Sequence, residues 1–311
     1  MITAHLDAAS MARVRLAVSP ACEAVTWLRM TAFGNRHPVF GDPGPAARFA
    51  LRDPDVALLA TVLSANDRYM PDLLTPKPVA GPANRVWDRQ LEMTRETSPE
   101  AVVAQLELCP DVVSRDAGAF ARRAANGLNV FWRHAIADSW PGLQERLRAD
   151  LTVRAETMAT HGIGALFDTL SPKVSWTGSG LTVYNVADFE VRLAGAELVL
   201  APTVLAWPEV WSQLTDPADA MLSYPALGVG SNAPPAGDGT LGRLVGNTRA
   251  TLLRDLTVPR STTELSVRHQ LAPATVSYHL RVLHGSGLVT RSRDRRTVLY
   301  RRTEQGDALD G

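Results

Sequence analysis

Thiols are scarce in this chain. Its 311 residues include two cysteines, Cys22 and Cys109, far apart and in no C-x-x-C pair. That excludes a disulfide scaffold and a thiolate zinc site, and it fits a reducing compartment. No apolar run is long enough to span a bilayer. The opening MITAHLDAASMARVRL has no apolar h-region, so no secretory signal is expected, and the expected location is cytoplasmic. Catalytic signatures are missing too. There is no G-x-S-x-G elbow, P-loop, H-E-x-x-H or G-x-G-x-x-G motif. Pairs such as Asp53 and Asp55 flank Pro54 and read as a turn. The expectation is therefore not an enzyme, with no cofactor and no metal site.

Lysine is absent from Leu241 onward, where 12 arginines face 6 acids. The whole chain balances at 32 basic and 32 acidic residues, so a basic tail follows an acidic body. Such a split suggests a polyanion partner for the tail. The remaining composition, 45% hydrophobic and 21% charged, is that of a globular protein long enough for one large or two ordinary domains.

The periodicity changes along the chain. Ser19-Pro20 is a cap followed by a first-turn proline, and it predicts a helix over Ala21–Thr31. An apolar run follows at Val56–Leu63. Helical patterns then cover Arg85–Arg95, Pro99–Leu108 and Asp116–Ala125, and a longer one covers Leu128–Thr160 with an interruption at Pro141. KVSWTGSGLTVY alternates around a Gly-Ser-Gly turn, a hairpin signal, and VRLAGAELVLAP and AMLSYPAL read as further strands. GVGSNAPPAGDG, residues 228–239, reads as a linker. The predicted class is mainly helical α+β. An N-terminal domain of residues 1–235, helical to about 170 and β-rich over 171–235, precedes a second domain of residues 236–311.

That second domain carries an ordered set of signals. LGRLVGNTRATLLRDLTVP reads as a helix with Leu244, Thr248, Leu252 and Leu256 on one stripe. Ser261 followed three residues later by Glu264 is a capping-box pattern, which starts a helix through about Gln270. Pro273 suits the first turn of the next helix, about 273–284, where Val276, Leu280 and Leu283 face a core. Thr275, Ser277, Tyr278 and Arg281 are then expected to point mostly outward. LVTRSRDRRTVLYRR supplies a strand, an Arg-rich turn and a second strand, a wing over about 290–301. The short helix expected from TEQGDALD completes a winged helix-turn-helix, whose second helix enters the major groove of DNA.

STTEL, APATVSYHLRVLHGSGLV and RDRRTVLYRRT together resemble the ArsR/SmtB family of bacterial repressors, over about 70 residues. The resemblance implies a homodimer that reads two-fold symmetric double-stranded DNA. It places Thr275, Ser277, Tyr278, His279 and Arg281 on the recognition helix, and Arg291, Arg293, Arg295 and Arg296 on the wing. Thr262 and Thr263, at the start of the preceding helix, complete the candidate set. Arg281 suits a guanine, Tyr278 a thymine methyl or a phosphate, and the wing arginines the backbone or minor groove. Ser277 and His279 suit the backbone register, and His279 also sits beside the buried edge. Metal-sensing members carry a C-x-C pair on the helix before the recognition helix. ELSVRHQ offers Ser266 and Arg268 and no thiolate, so metal sensing is not expected.

VRLAVSP, YMPDLLTPKP, LSPKVSW and LVLAPTVLAWP extend the likeness to a group of actinobacterial ArsR-like regulators with a large added N-terminal domain. All seven tryptophans lie there: Trp27, Trp87, Trp132, Trp140, Trp176, Trp207 and Trp211. They read either as the lining of a small-molecule effector pocket or as core and interface. The domain could equally extend a dimer interface or dock a protein partner. The alternative reading of the whole is a small-molecule-binding protein or enzyme that uses the winged helix only for dimerisation or protein contact.

Overall fold

The structure is a computed structural model that describes residues 1–66, 69–109, 117–184, 187–230, 245–269, 271, 273–294 and 297–309. In chain order the elements begin with β1 (Ile2–His5), α1 (Ala8–Met11), β2 (Arg15–Leu16), α2 (Pro20–Ala32), α3 (Gly44–Ala50) and α4 (Pro54–Ala65). Next come α5 (Val86–Arg95), α6 (Pro99–Leu106), α7 (Ala117–Ala135) and α8 (Trp140–Leu170). The strands β3 (Val174–Trp176), β4 (Gly180–Val183), β5 (Phe189–Arg192), β6 (Val199–Thr203), β7 (Trp211–Gln213) and β8 (Met221–Pro225) follow. The last group is α9 (Asn247–Asp255), β9 (Arg260–Ser261), α10 (Thr262–His269), α11 (Pro273–Gly285), β10 (Val289–Asp294), β11 (Thr297–Arg302) and α12 (Glu304–Ala308). Strand order is β3-β4-β1-β5, β2-β6-β8-β7 and β10-β11-β9 in the three sheets. The mainly helical α+β class holds.

The chain divides into two compact units. One comprises Ala4–Glu156 and Val191–Gly230, the other Met1–Thr3, Thr157–Glu190 and Ser231–Gly311. In the first, α2, α3, α4, α5 and α6 all pack on α7, around Val25, Leu28, Leu59, Leu63, Leu128 and Phe131. The expected break between Ala125 and Leu128 does not occur, because α7 runs unbroken through Asn126-Gly127. Gly127 is there for space: a Cβ on it would lie 2.6 Å from the Asp55 carbonyl oxygen. The backbone of α4 thus rests directly on α7, and Arg123 Nε and Asn126 Nδ2 donate to the Asp55 carboxylate at 2.5 and 2.6 Å. The chain leaves the helix after Ala135, and Pro141 falls in the first turn of α8, where its missing N–H costs nothing. α8 is itself kinked at Gly162, which has φ 82° and ψ 171°.

Ser19 caps α2 as predicted, its Oγ accepting from Cys22 N. β2, β6 and β8 run parallel and β7 antiparallel. Every residue of β6 is buried, as strands of a parallel sheet require. In the second unit the KVSWTGSGLTVY hairpin forms in the register Val174↔Val183 and Trp176↔Leu181. The Trp176 ring packs on Phe167 and against Gly164. Most of the Gly228–Gly239 linker lies outside the described residues.

Candidate nucleic-acid interface

The residues from α9 to α12 build a winged helix-turn-helix around a core of their own: Leu252, Leu253, Leu256, Leu265, Leu271, Val276, Leu280, Leu283, Leu288 and Val289. The capping box forms as expected. Ser261 Oγ accepts from Glu264 N at 3.2 Å, and the Glu264 carboxylate accepts from Ser261 N at 2.7 Å. α11 ends in a Schellman arrangement. Leu288 N donates to Leu283 O and Gly287 N to His284 O, with Gly287 at φ 73°. Those bonds turn the chain straight into the wing. The wing root is fixed by Arg302 N donating to Leu256 O and Thr303 N to Leu288 O.

Asp255, at the end of α9, sets the position of α10. Its carboxylate accepts two bonds from Arg268, at 2.6 and 3.0 Å, and one from His269 Nε2 at 2.9 Å. Arg260 Nε of β9 stands 3.1 Å away. Burial raises the Asp255 carboxyl, but the bonds from Arg268 and His269 and the charges of Arg260 and Arg268 outweigh it and hold the group below its ordinary range. Three hydrogen bonds thus hold the carboxylate, and Arg260 Nε donates to the Asp255 main-chain oxygen at 3.0 Å, so Asp255 ties α9 to β9 and to the first helix of the helix-turn-helix.

On α11, Tyr278 is 55% exposed and Arg281 is exposed, while Ser277 is half-buried. Thr275 differs from expectation. It is only 3% exposed and faces the core with Val276. The reason is the width of the buried stripe: residues 276, 280 and 283 mark its centre, and 275 and 279 form its inner edge. His279 is half-buried, its ring 5.3 Å from Tyr278 and edge-on. Burial, with Arg249 nearby, pushes its pKa down to about 4, so the ring is neutral. Thr263 is exposed and Thr262 half-buried, with the Thr262 carbonyl accepting from Ser266 Oγ.

On the wing, Arg291 and Arg293 are exposed. They lie opposite Tyr300 and Val298, hence on one face, since cross-strand partners share a face. Arg301, opposite Thr290, is exposed on the other face. It is not among the sequence-predicted contacts, although simple alternation along RTVLYRR marks it. Arg295 and Arg296 lie outside the described residues, as does Leu244 of the predicted stripe.

The tryptophans of the helical unit are engaged in packing. Trp87 stacks on Trp132 with ring centroids 4.4 Å apart, and Trp140 meets Trp132 edge-on. Trp27, Trp207 and Phe40 surround the buried His37. Trp211 lies under Arg29. An apolar groove in this unit is lined by Ala32, Leu51, Ala57, Ala60, Thr61, Ser64 and Ala65, none of them aromatic.

Residues 251–291 match the family model described as bacterial regulatory protein, arsR family. They span most of α9, the two helices of the helix-turn-helix and the start of the wing. The protein therefore carries an ArsR-type helix-turn-helix, which supports a DNA-binding regulator of transcription. No curated protein and no solved structure matches the chain. Among the described residues no helix is long and apolar enough to cross a membrane.

Proposed function

We propose that the protein is a cytoplasmic, homodimeric, sequence-specific regulator of transcription, acting as a repressor. Residues 236–311 form its DNA-binding domain. The recognition helix, about 273–284, enters the major groove of double-stranded DNA, and the wing, about 290–301, lies on the backbone or minor groove. One observation supports this most: Tyr278 and Arg281 are exposed on α11, and Arg291 and Arg293 are exposed on the wing of the same ArsR-type module. Ser277, Thr262 and Thr263 fit backbone contacts, with Arg295 and Arg296 as further wing contacts. The inward Thr275 and neutral His279 fit a role in seating the helix. Residues 1–235 form a domain that gates DNA binding through a small-molecule effector, a protein partner or dimerisation.

The test is the salt dependence of DNA binding. Replacing Arg291 and Arg293 with Ala should weaken binding to every sequence and reduce the slope of log K against log salt by about two. An unchanged slope would remove the wing from the interface.

A further inference from the structure

The loop between α2 and α3 folds around one imidazole. His37-Pro38-Val39-Phe40-Gly41 closes on itself through two backbone bonds: His37 N donates to Gly41 O at 2.7 Å, and Gly41 N donates to His37 O at 2.8 Å. Pro38 has no N–H, which leaves the donors of Val39 and Phe40. Both donate to His37 Nδ1, each at 3.0 Å. The ring does here what asparagine or aspartate does in a turn, and satisfies the N–H groups two and three residues on. His37 is 1% exposed, among Trp27, Trp207 and Phe40. Val39 and Phe40 are 45% and 38% exposed. A buried ring thus holds a loop that displays two apolar side chains. An Nδ1 that accepts carries no proton, so the neutral ring bears its proton on Nε2. A second proton can go only to Nδ1. It replaces the lone pair with an N–H aimed at two other N–H groups, and both bonds must break.

We infer that His37 is a proton-sensitive clasp on this loop: neutral, it holds the loop closed with Val39 and Phe40 displayed, and charged, it lets the loop go. Burial holds the ring below its ordinary pKa of 6.5, and the Val204 backbone only partly offsets this. A base whose pKa is lowered in the folded state takes up its proton more readily once the structure opens. The clasp is therefore complete above about 6.5 and is lost as pH falls below it. The charged groups on the surrounding elements are Glu23 and Arg29 on α2, Glu209 after β6, Arg36 and Asp42 beside the loop, and Arg146 over the Phe40 ring. Arg29 is engaged by Tyr69 O and the Trp211 ring. Glu23 titrates near 7, above the window of the ring.

The experiment uses the full-length protein in two arms. In the first, nuclear magnetic resonance of histidine-labelled wild type gives the tautomer of His37 at neutral pH and follows its titration. Hydrogen exchange at the Val39 and Phe40 amides is measured over the same pH series and corrected for the intrinsic pH dependence of exchange. The expected result is a proton on Nε2 at neutral pH, with protection of both amides falling about tenfold in step with the ring's own titration. In the second arm the exchange series is repeated on His37→Asn, whose Oδ1 accepts as Nδ1 does but takes no proton in this range. Protection that no longer changes with pH is expected there. A proton on Nδ1 at neutral pH, protection that stays constant while the ring titrates, or a ring that stays neutral until the whole chain unfolds overturns the proposal. So does a His37→Asn variant that folds and keeps the wild-type pH dependence. If that variant does not fold, the wild-type arm decides by itself.

Discussion

Thr275 and His279 stand one turn apart on the inner edge of α11, and the Thr275 Oγ1 and His279 Nδ1 atoms are both enclosed without a hydrogen-bond partner among the described residues. An unpaired buried hydroxyl costs about 1–3 kcal/mol. Thr275→Val keeps the shape and removes the hydroxyl. It should raise the melting temperature of the winged-helix unit by a few degrees, with DNA affinity unchanged. A lowered melting temperature, or a marked loss of DNA affinity, would show that the hydroxyl has a partner or touches DNA.

Gly127 carries the contact between α4 and α7. The Asp55 carbonyl oxygen lies only 2.6 Å from the place a Cβ would take. Gly127→Ala therefore forces the two helices apart, even though alanine is the better helix former. The expected cost is about 1–3 kcal/mol, read as a lower midpoint in urea. A stabilised variant would mean that the helices separate without penalty.

Glu23 links pH to the stability of the helical unit. It is fully buried, accepts from Val204 N at 2.7 Å and Leu205 N at 2.8 Å, and burial lifts its pKa to about 7 despite those two bonds. A carboxyl raised in the folded state holds its proton longer there than in the unfolded chain. Its contribution is therefore complete below the ordinary range near 4.5 and is lost as pH rises through about 7. Stability should fall over that window by an amount on the order of 3 kcal/mol at most, and Glu23→Gln should flatten the fall. A Gln variant with the wild-type pH profile would exclude Glu23 as its source.

Arg281 is the base-reading candidate. Arg281→Ala should cost about 1–3 kcal/mol on the preferred duplex and relax preference at one base pair, while binding to random DNA changes little. A competition assay against a library varied at each position reads this directly. Equal losses on specific and random DNA would make Arg281 a backbone contact.

Much of the fold is legible in the sequence where local signals agree. Ser19-Pro20, the Ser261–Glu264 box and Gly287 each mark a helix end through bonds made within a few residues. The hairpin at 174–183 needs only alternation and a turn. Other features depend on partners that no spacing reveals. Gly127 resembles a break in the pattern, yet it serves Asp55, far earlier in the chain. Asp255 gathers Arg260, Arg268 and His269 at separations that match no helical or strand period. Thr275 reads as outward because the leucine and valine positions define a stripe's centre and not its width. The tryptophans carry large side chains, and only the fold decides whether such groups pack on one another or line a cavity.

The central claim is that the chain reads DNA sequence through its ArsR-type module. The most direct measurement is fluorescence anisotropy of the purified protein with DNA from upstream of its own gene, beside a scrambled duplex, at several salt concentrations. The account predicts tighter binding to the native duplex that persists at physiological salt. Equal and salt-sensitive binding to both duplexes, or no binding even at low salt, would contradict it.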